Sequence, residues 1–219
     1  MSSKVIRVKE ICRNIIAVGR NYAEHAKELG NPVPQGNPLI FGKPVSSIIT
    51  EGSIEIPQGW KELHHEVELG VVIGKSGKFI QEEQAMDHVL GYVLVLDMTA
   101  RNIQDQLKKQ GHPWFLAKGF DTSCPISNFI CKSAVKDVNN LNLQLTVNGV
   151  LKQNGNTQDM IFKIPNLLSY ISKYFKLEYG DLILTGTPSG VSAVKHGDVI
   201  EAKLDDLVQM KYPVIEHGN

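Results

Sequence analysis

The chain has 219 residues, 42% hydrophobic and 21% charged, and its 23 basic and 23 acidic side chains cancel to a formal net charge of zero. This is ordinary globular composition with room for one well-packed domain, and it lacks the basic excess that tracks a phosphate backbone, which argues against nucleic-acid binding. The longest apolar runs stop well short of the ~20 residues of a membrane-spanning helix, and the odd set Cys12, Cys124 and Cys131 has no ligand-like spacing and reads as reduced thiols.

Residues 1–14 carry Lys4, Arg7, Lys9 and Arg13 against Glu10, a weak mitochondrial-type pattern. It runs straight into Ile15-Ile16-Ala17-Val18, a predicted strand, so no separable presequence is visible and a cytosolic location stays open. Residues 1–13 are expected to form an N-terminal extension to a single domain over 14–219. A helix is expected from about Tyr22 to Leu29, stopped by Gly30, and a short strand at Leu39-Ile40-Phe41. Glu66–Ile73 reads as a strand, Gln81–Leu90 as a helix ended by Gly91, and Tyr92–Leu96 as a strand buried on both faces. Thr99 is placed to cap a helix reaching Gln110, with Gly111 beyond it. Lys132–Asn140 is the best linker candidate. Leu141, Leu143, Leu145 and Val147 alternate into an Asn148-Gly149 hairpin. Pro165 opens a helix with Leu168, Ile171 and Phe175 on one face and Gly180 as its stop, and Leu182–Leu184 is a strand running into Thr185-Gly186-Thr187-Pro188. The sum is a mixed, strand-rich α+β domain.

Glu66 and Glu68 sit one residue apart at the head of an apolar strand, so alternation points both the same way. Side by side they repel unless protonated or bridged by a cation, and Asp97 closes the neighbouring apolar run. Three hard oxygen donors at strand ends suit Mg2+ or Mn2+; an amphipathic edge strand facing solvent is the competing account of the pair. His25 and Glu28, three apart on a helix, can make a general base or an ordinary surface pair. Lys118 lies in an apolar setting, either as a desolvated cation or reaching out to water. Arg101 and Gln104 share a helix face just after Asp97, where a polar surface is the simpler reading. Gly70–Ser76 looks like a phosphate loop but has one spacer residue too few, so nucleotide binding is rejected there.

In order along the chain, Val18-Gly19-Arg20-Asn21-Tyr22 with His25, Phe41-Gly42-Lys43-Pro44, His65-Glu66-Val67-Glu68-Leu69, Leu96-Asp97-Met98-Thr99-Ala100-Arg101, Lys118-Gly119-Phe120-Asp121 and Leu184-Thr185-Gly186-Thr187-Pro188 resemble the fumarylacetoacetate hydrolase family. The resemblance spans about residues 14 to 212 and looks closest to short eukaryotic members that act as acylpyruvases and handle oxaloacetate. It implies a mixed β-roll with a few peripheral helices, usually a homodimer, and by analogy a mitochondrial location. It implies Mg2+, or Mn2+, on Glu66, Glu68 and Asp97, with His25, Glu28 and Lys118 catalytic and Arg20, Lys43, Arg101, Gln104 and Thr187 at the substrate. The implied chemistry is acylpyruvate C–C hydrolysis and oxaloacetate tautomerisation or decarboxylation through a metal-bound enolate. A non-catalytic metal-dependent dicarboxylate binder is the alternative. Larger members carry a further acid near the position of Arg20-Asn21, and its absence here argues against fumarylacetoacetate itself as substrate.

Overall fold

In the computed structural model, which describes residues 6–216, strands dominate and the helices are short and peripheral. The long apolar runs line up in a six-stranded sheet in the order Ile130–Cys131, Val89–Leu96, Val67–Ile73, Leu182–Leu184, Ile15–Gly19, Leu39–Lys43. Its pairings are antiparallel except for Ile15–Gly19 beside Leu182–Leu184. The half-polar strands form a second, five-stranded sheet in the order Val150–Asn156, Asn142–Val147, Val199–Leu204, Val208–Glu216, Ile54–Ile56. The inward residues of that sheet, Leu143, Leu145 and Ile200, join Leu69, Val71 and Leu94 of the first in one apolar cluster. The buried-face alternation expected over 141–147 is present in Asn142–Val147, and the hairpin turn puts Asn148 and Gly149 in the left-handed region that two-residue turns favour. Val8 and Cys12 reach a second cluster with Ile15 and Leu182, on the other face of the six-stranded sheet. Lys4 lies outside the described residues.

Three expected boundaries are corrected. Glu82–His88 winds as 3-10 turns rather than an α-helix, and Gly91, expected to stop it, lies inside the strand Val89–Leu96. Gly91 pairs with Cys131, and a Cβ there would meet the Ile130 carbonyl oxygen at 2.2 Å, so strand packing rather than helix termination demands glycine. Thr99 does not cap the next helix. It pairs with His64 in a short strand and its hydroxyl donates to the Asp97 carbonyl, while the helix starts at Arg101 behind Ala100. The helix Ile164–Tyr174 ends well before Gly180, because Phe175 is already extended; Phe175 is half-exposed, and Leu177 supplies the buried apolar side chain instead.

Candidate active site

The acidic strand Val67–Ile73 is no edge: it lies between Val89–Leu96 and Leu182–Leu184 and is buried on both faces. Glu66 precedes it, and its carbonyl accepts from the Asp97 amide at 2.8 Å, joining the head of one strand to the tail of the next. Ligand-capable oxygens of Glu66, Glu68 and Asp97 therefore lie within 4.8 Å of one another, with none of the three residues more than 5% exposed.

Three buried cations answer the three acids. Lys118 Nζ donates to Glu66 at 2.8 Å and to Asp97 at 2.5 Å, Lys43 Nζ donates to the other Asp97 oxygen at 2.8 Å, and Arg101 donates to Glu66 at 2.5 Å. Burial disfavours the Glu66 carboxylate, but Lys118 and Arg101 outweigh it and hold its pKa far below the ordinary range. Burial also works against the Lys118 ammonium, and Asp97 and Glu66 overcome it. Glu68 fares differently. Burial, then Asp97 and Glu66, push its pKa well above the ordinary value, against Lys118 and a 2.7 Å hydrogen bond from the Gly186 amide.

The acids open into a cleft also lined by Arg20, His25, Arg101, Gln104, Lys118 and Thr187. Arg101 and Gln104 are the buried residues of their helix, so the polar face that would ordinarily meet solvent is turned inward. Gln104 accepts from Arg101 at 2.7 Å through its oxygen, which leaves its amide hydrogens for the cleft. Thr187 donates its hydroxyl to the Val67 carbonyl and accepts from Gln153 Nε2, both at 2.8 Å, so its one proton is already committed. Lys43 does not line the cleft; it stands behind Asp97 and also donates to the Lys118 carbonyl. His25 is buried beside Glu28, Nδ1 to Oε2 3.4 Å. Burial lowers the His25 pKa against the opposing pull of Glu66 and Glu28.

A profile described as the fumarylacetoacetate hydrolase C-terminal family matches residues 14–215. The chain belongs to the fumarylacetoacetate hydrolase family. It is 53% identical over 94% of its length to a protein of Dictyostelium discoideum named oxaloacetate decarboxylase, mitochondrial, covering 95% of that relative. It is 50% identical over 97% of its length to the human protein named oxaloacetate tautomerase FAHD1, mitochondrial, covering 96% of it. Among solved structures, the fumarylpyruvate hydrolase of Pseudomonas aeruginosa in complex with Mn2+ and pyruvate superposes with a TM-score of 0.91 at 35% identity, with 94% of this chain and 91% of that one covered. These relatives identify the protein as an enzyme.

The donor set fits a divalent cation of the hard, oxygen-preferring kind. Three carboxylates converge, and burial together with the neighbouring Asp97 and Glu66 raises the Glu68 pKa, so that its carboxylate, which has no ion pair with the lysines or arginine among the described residues, is the one a cation would most favour in ionised form. Around this family site the structure adds contacts that the sequence pattern did not give. Gln153 comes from the second sheet and also accepts from His65 Nδ1 at 2.8 Å and the Val67 amide at 3.1 Å. Phe41 and Trp114 wall the cleft, with Lys118 Nζ 5.0 Å from the Phe41 ring centroid. The Glu28 carboxylate accepts from the Gly190 amide at 3.0 and 3.2 Å, tying the His25 helix to the loop after Thr187. Gly190 has φ +98, and a Cβ there would sit 2.0 Å from the Lys152 carbonyl oxygen. Gly190→Ala is therefore expected to cost about 2–3 kcal/mol of stability, read by denaturant unfolding. An unchanged unfolding midpoint would show that the loop shifts freely.

Proposed function

We propose that the protein is a Mg2+-dependent enzyme of 2,4-dioxo and β-keto acids, which hydrolyses acylpyruvates and tautomerises or decarboxylates oxaloacetate. The observation that carries this reading is the buried Glu66–Glu68–Asp97 cluster, with Lys118 bridging two of its members and His25 in the same cleft. The names of its relatives support the same chemistry. When bound, the cation supplies Lewis-acid stabilisation of enolate charge, and Glu66, Glu68 and Asp97 are the residues that would hold it.

The side chains divide the remaining work. Gln104, Arg101 and Arg20, which line the same cleft, orient the keto-acid substrate. Glu28 faces His25 Nδ1 and favours the tautomer with the proton on that nitrogen, leaving Nε2 to take a proton from water. The activated water attacks the distal carbonyl of an acylpyruvate, the C–C bond breaks, and its electron pair passes to pyruvate enolate beside the Lys118 ammonium. Lys43 holds Asp97 in place from behind. Residues 14–219 are proposed to act as one catalytic domain, as a homodimer in mitochondria; light scattering and cell fractionation test the last two points. The decisive experiment for the activity follows acetylpyruvate and oxaloacetate with Mg2+, with Mn2+ and with chelator, measuring products as well as enol absorbance. Turnover indifferent to chelator would overturn the metal dependence, and turnover of neither substrate would overturn the activity.

The two displaced pKa values give the pH profile a definite shape. A base must be neutral to act, and the His25 pKa lies below its ordinary 6.5, so with saturating cation the acid limb of cleavage is expected below that pH. Cation binding needs ionised Glu68, whose pKa is raised, so apparent Mg2+ affinity is expected to fall on acidification from a pH well above the ordinary carboxylate value of 4.5. Rate measurements at low and saturating Mg2+ separate the two limbs. A single limb, independent of Mg2+, would contradict the assignment.

A further inference from the structure

The Glu28 side chain is about a third exposed and ends a helix of only 6 residues, Ala23–Glu28. A glutamate so placed samples several rotamers, and an open pairing with His25 is worth little by itself. The hydrogen bond from the Gly190 amide removes that freedom, so the placing of Gly190 sets the placing of Glu28. The loop carrying Gly190 is held by a network whose hydrogens can be assigned. The Val67 amide only donates and the Pro188 carbonyl only accepts, which fixes Gln153 with Oε1 toward Val67 at 3.1 Å and Nε2 toward Pro188 at 2.8 Å. His65 Nδ1, 2.8 Å from the same Oε1, therefore carries the ring hydrogen. In the neutral ring Nε2 accepts, and the Ser192 hydroxyl donates to it at 2.8 Å. The strand Val150–Asn156 presses on the same loop, since a Cβ at Gly155 would sit 2.3 Å from Pro188 Cβ. The loop is thus gripped at Thr187, Pro188 and Ser192, on both sides of Gly190. Gln153 and His65 are fully buried, and neither they nor Ser192 line the cleft.

We propose that Gln153, His65 and Ser192 are positioning residues for the His25–Glu28 base, holding the loop 187–192 so that the Gly190 amide keeps the Glu28 carboxylate against His25 Nδ1. The idea rests on the proposed function above and deepens it, because it places control of the base in the second sheet, outside the cleft. Glu28 Oε2 faces Nδ1 at 3.4 Å, and both carboxylate oxygens share the Gly190 hydrogen at 3.0 and 3.2 Å. A carboxylate fixed in this way keeps the imidazole proton on Nδ1 and Nε2 bare toward water. Once freed it turns to solvent, the ring loses its preferred tautomer, and a displacement of about 1 Å at the base costs about a hundredfold in rate. Glu66 and Asp97 are held instead by Lys118, Arg101 and Lys43. The network therefore governs proton transfer rather than cation binding.

The test is a double-mutant cycle on acetylpyruvate cleavage at saturating Mg2+. Gln153→Met is expected to lower kcat by about ten- to a hundredfold with KM little changed, and to have almost no effect once Glu28→Ala has removed the side chain being placed. Ser192→Ala is expected to follow the same pattern with a smaller loss, and Ser192→Thr, which keeps the hydroxyl, to retain native kcat. An equal loss of kcat in both backgrounds overturns the proposal, as does a rise in KM with kcat unchanged. Where Gln153→Met fails to fold, the two Ser192 variants decide by the same criteria. A second readout needs no turnover: the titration of His25 followed by nuclear magnetic resonance in the metal-free protein. Glu28 raises the His25 pKa against burial, so Gln153→Met and Ser192→Ala are expected to move it to lower pH, toward its position in Glu28→Ala. An unmoved titration overturns the positioning. A native enzyme that converts no keto acid would sink the proposed activity and leave the titration to decide the positioning by itself.

Discussion

Glu68→Gln is expected to reduce Mg2+-dependent turnover of acetylpyruvate and oxaloacetate by about a thousandfold, the scale of several kcal/mol of charge stabilisation. The same change should leave the melting temperature of the metal-free protein equal or higher. The sign follows from the raised pKa of Glu68: the fold favours its neutral form, so ionisation costs stability above the ordinary carboxylate value, and glutamine removes that cost. The amide oxygen of glutamine can still accept from the Gly186 N–H. The variant should, however, lose most of the rise in melting temperature that Mg2+ confers on the native protein. Full activity in Glu68→Gln, or an undiminished Mg2+-induced rise, would remove Glu68 from the cation site.

His25→Ala separates proton transfer from cation binding. Cleavage of acetylpyruvate is expected to fall by about 10²–10⁴-fold, the usual scale for loss of a positioned general base. The Mg2+-induced rise in melting temperature should persist, because His25 contributes no ligand to the three-acid cluster. Loss of that rise would mean that His25 belongs to the metal site and not to the water. Glu28→Gln should act in the same direction but less strongly, since it removes charge from beside Nδ1 and leaves the ring in place.

The acids illustrate how far a linear reading goes. Glu66, Glu68 and Asp97 stood out because the neighbouring residues are apolar and alternate, which is local information. Whether the pair faced solvent or lay buried was not local. It turned on Val67–Ile73 gaining a neighbour on each side, one of them more than a hundred residues away in the chain. The helix Arg101–Gln110 makes the same point from the other direction. Its sequence offers a polar face that would ordinarily be solvated, yet Arg101 and Gln104 are its buried residues because Glu66 sits opposite. The segment at 81–91 has helical composition, and strand begins at Val89 because that residue pairs with Ile73 on one side while Gly91 pairs with Cys131 on the other.

By itself the sequence determined the strand-rich class, the three candidate ligands, the His25–Glu28 pair and, through ordered motifs, the family. These rest on alternation, spacing and residue chemistry, which are properties of neighbours in the chain. Tertiary structure alone decided the burial of the acids, the placing of Lys43 behind Asp97 and the arrival of Gln153 from the second sheet. The physical reason is that sheet order and strand pairing bring distant segments together. The charge balance of a buried site is set by those partners rather than by the residues on either side.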